Sequence, residues 1–89
     1  MKLERRRIAD FASRLAAAEE GSAEWEEIHS QFLRYIEPFS RQLAESYHGF
    51  LPTAEGEISY YTGHPLHWHE KIRYIYDPES GFQRRVEEE

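Results

Sequence analysis

Apolar residues recur every three or four positions along the first fifty residues, and every second position from residue 57 onward. Ile8, Phe11 and Leu15, led by Leu3 and flanked by Ala12, Ala16 and Ala18, predict an amphipathic helix over residues 3–20. Gly21 suits the residue just past a helix end and Ser22 suits an N-cap, so a second helix should begin at once. So short a connection makes the two helices antiparallel neighbours, an αα-hairpin. Trp25, Ile28, Phe32, Ile36, Phe39, Leu43 and Tyr47 continue one stripe in phase across Pro38. That phase predicts a single second helix, kinked at the proline and stopped by Gly49.

The remainder reads as strands. Residues 57–61 form a short alternating run, and residues 62–66 a turn marked by Gly63 and Pro65. Residues 67–76 form a longer run rich in aromatic and β-branched side chains. Asp77-Pro78-Glu79-Ser80-Gly81 has the composition of a turn, and residues 82–87 return as a third strand. The expected architecture is α+β, order ααβββ: an αα-hairpin packed on a three-stranded antiparallel sheet. Residues 1–89 then make one small domain, with the helical hairpin in 1–50 and a β-meander in 57–87.

If Asp77–Gly81 is a five-residue turn, Tyr76 faces Phe82, Tyr74 faces Arg84 and Ile72 faces Val86. Those residues, with Trp68, form the face that packs on the helices. The opposite face carries His67, His69, Lys71, Arg73, Ile75, Gln83, Arg85 and Glu87. Lys71 then faces Glu87, whereas Arg73 faces Arg85, which is unfavourable without an anion between them. A slip of one residue inverts these assignments.

Composition narrows the function. With 39% hydrophobic, 31% charged and 15% aromatic residues, the chain suits a soluble globular domain and not a disordered one. It has no cysteine, so disulfides, thiol nucleophiles and cysteine zinc sites are excluded, which fits the cytoplasm. The net charge of −6 argues against general nucleic-acid binding. Acids and bases are spread along the chain, so a local basic patch is still allowed. No run of about 18 apolar residues appears, so no membrane span or membrane partner is expected. The acidic run Glu19–Glu27 solvates the turn and the first turn of the second helix. Trp25 reads as core, His29 and His48 as structural or partly exposed, and Arg5-Arg6-Arg7 as a solvated helix start.

Three of the five histidines fall in His64-Pro65-Leu66-His67-Trp68-His69. On a strand, His67 and His69 project from one face about 7 Å apart. They could converge on Zn, Ni or Cu, with His64 folding back as a third ligand, or Glu70, which the alternation places on the opposite face. The bland alternative is a set of solvated strand and turn histidines. His67, His69, Lys71, Arg73 and Arg85 together make a cationic face suited to an anion or a protein carboxylate.

Two helices followed by three antiparallel strands resembles the order in small ribonuclease toxins of the RelE/ParE type. That resemblance implies RNA cleavage by imidazole acid–base chemistry with arginine on the phosphate, using His69 and Arg73 among clustered tyrosines. Those toxins begin with a strand and are basic, and this chain has neither feature. No nucleophile elbow, phosphate-binding glycine loop or paired-carboxylate motif is present, so no catalytic residue is assigned. The reading that results is a non-enzymatic protein-binding module that also forms homodimers, with a metal-binding module as the alternative.

Overall fold

A computed structural model describes residues 3–43, 47–62 and 72–86. Helix α1 spans Arg5–Ala17, α2 Ala23–Tyr35 and the short α3 Glu37–Ser40. Four strands follow: β1 (Tyr47–Pro52), β2 (Ile58–Thr62), β3 (Ile72–Tyr76) and β4 (Gln83–Val86). They form one antiparallel sheet in the order β1-β2-β3-β4. The architecture is α+β, with helices first and an antiparallel sheet after them.

Ile8, Phe11 and Leu15 form the buried face of α1, as their spacing predicts. Ser22 Oγ accepts from Trp25 N–H at 3.1 Å, so the predicted N-cap starts α2. The two helices meet through Phe11 and Phe32, whose rings lie edge to face at 5.6 Å. The Tyr35 hydroxyl accepts from Glu4 N–H at 2.8 Å, just before α1 begins. Phe32 and Ile36 are fully buried, and the core they join continues into Ile58 and Tyr60 of β2.

The helical half is shorter than the stripe predicts. No single helix runs through Pro38: α2 ends at Tyr35, Ile36 leaves helical geometry at φ −92°, ψ 6°, and Pro38 falls in the first turn of α3. Proline is tolerated there because a first-turn N–H has no helical acceptor. Leu43 still packs against the core, but Tyr47 belongs to a strand, so helix does not extend to Gly49. Among the described residues, the sheet therefore has four strands and not three.

The added strand is shaped by a bulge. His48 pairs with Tyr61 and Leu51 with Ser59, leaving Gly49 and Phe50 opposite Tyr60. Gly49 takes φ +70°, the left-handed geometry such a bulge needs. The extra residue lets Tyr47 and Phe50 both reach Tyr60, at ring distances of 5.4 and 5.5 Å. Without it, residues three apart would point to opposite faces.

The β3–β4 register also differs from the sequence reading by one residue. Tyr76 pairs with Gln83, Ile75 with Arg84, Tyr74 with Arg85 and Arg73 with Val86. The turn is one residue tighter than assumed: Asp77 N–H donates to Phe82 C=O at 2.8 Å, which extends the ladder by one step. Gly81 N–H donates back to Asp77 C=O at 2.8 Å, with Gly81 at φ +74°. Asp77 Oδ1 accepts from Glu79 N–H at 2.9 Å, an Asx turn that holds the bend.

Candidate functional site

The helices pack on the sheet face that carries Ile58, Tyr60, Tyr74 and Tyr76. Tyr60 is its centre, 1% exposed and ringed by Tyr47, Phe50, Tyr74 and Phe39. Burial, reinforced by the neighbouring Tyr47, Tyr74 and Tyr76 phenols and opposed by Gln83, pushes its pKa up to about 12. This layer is core.

The opposite face is the candidate site. By the register it carries His48 and Leu51 of β1, Ser59 and Tyr61 of β2, Arg73 and Ile75 of β3, and Arg84 and Val86 of β4. The His48 and Tyr61 rings stack at 6.1 Å. Arg73 Nε donates to Ser59 Oγ at 3.0 Å, reaching across to the neighbouring strand. Arg84 reaches further: its guanidinium lies 3.3 Å from Glu57 Oε1, two strands away. Ile75 lies between the origin and the target of that span, and it is 6% exposed although it stands outside the helix-side core.

Arg73 stands on this face as the sequence predicts, but Arg85 does not. Arg85 pairs with Tyr74 and so belongs to the helix side, and Arg84 takes its place. The one-residue slip removes the Arg73–Arg85 repulsion by sending the two to opposite faces. His64, His67, His69 and Lys71 lie outside the described residues. Among the described residues, no group of three His, Asp or Glu side chains could hold a metal ion. The described residues also contain no helix long and apolar enough to cross a membrane.

The other histidines have structural partners. His29 Nε2 lies 3.0 Å from Phe50 C=O, which fixes Nε2–H as the donor, and its ring sits 4.9 Å from Trp25. Trp25 packs against the core and also lines an open groove of about 370 Å³ with Ala12, Ala16, Leu51 and Pro52. Arg5 is more than a solvated helix start. Its Nη2 lies 2.7 Å from Asp77 Oδ2 and its Nε 3.4 Å from Glu79 Oε2, so α1 is tied to the β3–β4 turn. The Asp77 carboxyl is held below its usual value first by the Glu79 N–H, then by the Ser80 N–H and Arg5, against an opposing effect of burial.

Comparison with known proteins adds no relative. No family model, curated protein or solved structure matches this chain. Function must be argued from the face itself. Sequence reasoning missed His48, Ser59, Tyr61 and Arg84 as members of it. The first three required knowledge of the β1–β2 pairing, and Arg84 required the length of the Asp77–Gly81 turn.

Proposed function

We propose that this protein is a small non-enzymatic binding module that acts through protein–protein contact on the sheet face opposite its helices. The observation that carries the reading is the make-up of that face. Arg73 and Arg84 lie among His48, Tyr61 and Leu51 on a sheet surface that the described helices leave uncovered, with Glu57 as the acid paired to Arg84. Arginine and tyrosine are the residue types that protein interfaces favour. The guanidinium groups suit a partner that presents carboxylates beside apolar side chains, since arginine binds carboxylate in a planar, two-pronged geometry. Such a patch attracts an acidic partner locally even on a chain of net charge −6. Self-association belongs to the same proposal, because an open four-stranded sheet has two edges to protect.

The test is selection of binding peptides from a random library, followed by affinity measurement on a Tyr61→Ala/Arg73→Glu variant. Acidic peptides should be enriched, and their affinity should fall by about tenfold or more in the variant. Peptides without acids, or binding indifferent to both substitutions, would remove the face from consideration. A zinc titration of the same samples checks the alternative centred on His64, His67 and His69. Stoichiometric uptake lost on replacing those histidines would replace this reading with a metal-binding one.

A further inference from the structure

We propose that the open groove between α1 and β1 is a second docking site, and that its occupant is an apolar side chain flanked by lysine or arginine in a protein partner. The groove, of about 370 Å³, is lined by Ala12 and Ala16 of α1, Trp25 of α2, Leu51 and Pro52 of β1, and Glu20 of the α1–α2 turn. The alanines leave room on one wall, and Trp25 and Leu51 supply apolar surface on the other, with Leu51 39% exposed. These walls are held in place before anything binds. Trp25 N–H donates to Ser22 Oγ, and the Trp25 ring rests on His29, which bonds to the carbonyl of Phe50, the residue before Leu51. That chain of contacts ties Trp25 to β1, so little ordering is left to oppose binding.

Charge selects the occupant. Among the residues lining the groove, Glu20 alone is charged. It is exposed, as are Glu19 and Glu24, and among the described residues no cation pairs with any of the three. Arg14, the nearest basic residue before them in the chain, donates to Gln31 of α2 instead. The dipole of α2 accounts for Glu24 and Glu26, which lie in its first turn. It does not account for Glu20, which precedes the Ser22 cap and lies just past the end of α1, where that helix's dipole favours cations. A lysine or arginine entering with the occupant meets this carboxylate in a groove that also holds tryptophan, the aromatic that attracts cations best. Small-molecule sites fix their ligands with several converging polar groups, whereas Glu20 and the Trp25 indole are all that these side chains offer. A side chain already positioned by its own backbone needs no more. A second copy of this chain fits less well. Its Phe82 is 63% exposed, but Arg84 is engaged with Glu57, and Asp77 and Glu79 of the same turn would bring acid to an acidic rim. Two chains of net charge −6 also repel each other.

This site shares only Leu51 with the outer sheet face and does not rest on the reading of that face. The experiment is calorimetric titration and amide-shift NMR with short blocked peptides that carry a central Leu, Phe or Trp between lysines or arginines. Matched peptides with serines in place of the basic residues serve as the reference. The basic peptides should bind about tenfold more tightly than the reference set and shift the amides of Ala16, Trp25 and Leu51. Ala16→Phe, which fills the groove, should lower their affinity by about tenfold. Glu20→Lys should lower it by about threefold or more, as reversal of one exposed charge does. Both positions are exposed, and circular dichroism checks that each variant is folded. Should Ala16→Phe unfold, Glu20→Lys alone decides. The Tyr61→Ala/Arg73→Glu variant should bind the basic peptides unchanged, which separates this site from the sheet face. Binding indifferent to peptide charge, amide shifts confined to the sheet face, or affinity unmoved by the groove variants would each overturn the inference. A wild-type dimer in sedimentation velocity, abolished by both Ala16→Phe and Phe82→Ala, would give the groove to a second copy and overturn it as well.

Discussion

Gly56 and Gly21 share left-handed backbone, at φ +81° and +84°, yet they differ in what surrounds them. A methyl group at Gly56 would run into the Arg5 side chain and backbone carbonyl, where α1 begins against the β1–β2 turn. At Gly21 nothing lies within 4 Å, so only the backbone penalty applies. Gly21→Ala should therefore cost about 1 kcal/mol, and Gly56→Ala about 3 kcal/mol; urea unfolding of both variants measures the difference. Tyr60 carries the second prediction at this scale. Its folded pKa of about 12 stands above the ordinary 10.0, so folding favours the neutral phenol. That contribution is complete below pH 10 and is lost as pH rises toward 12, about 3 kcal/mol in all. Alkaline unfolding curves for wild type and Tyr60→Phe should diverge across that window. Curves that stay parallel would remove Tyr60 as the cause.

Elements were legible where the signal is local. Ser22 starts α2 through a bond within its own first turn, and Asp77 and Gly81 make a turn from their own side-chain and backbone chemistry. The end of α2 was not legible. Tyr47 remains in phase with the helical stripe, but a short apolar run fits helix and strand alike, and pairing with β2 decides it. The β3–β4 register followed the turn length, and one residue in that turn moved Arg85 off the candidate face and Arg84 onto it. Asp77 ties this hairpin to Arg5. Its folded pKa is depressed, so its contribution is present above the ordinary carboxyl value near 3.8 and lost as pH falls below it. Asp77→Ala should lower the melting temperature at neutral pH and shrink that gap on acidification, as calorimetry at two pH values would show. An unchanged gap would mean that the Asx turn and the Arg5 pair contribute nothing measurable.

On the scale of the whole molecule, the described helices cover one sheet face and do not cover the other. Among the described residues, the outer face carries Arg73 and Arg84 beside His48 and Tyr61. Substitutions at Tyr61 and Arg73 should weaken peptide binding without unfolding the protein, as circular dichroism of the same samples would check. The sequence by itself determined the α+β class, the buried stripe of α1, the N-cap of α2, and the helix-side placement of Tyr74 and Tyr76. These depend on periodicity and on contacts a few residues apart. Only the tertiary structure decided that residues 47–52 form a strand, that the sheet has four strands, and that Arg73 shares its face with Arg84. Each of those rests on hydrogen bonds between segments far apart in the chain, where a difference of one residue in a turn or bulge reverses which face a side chain occupies.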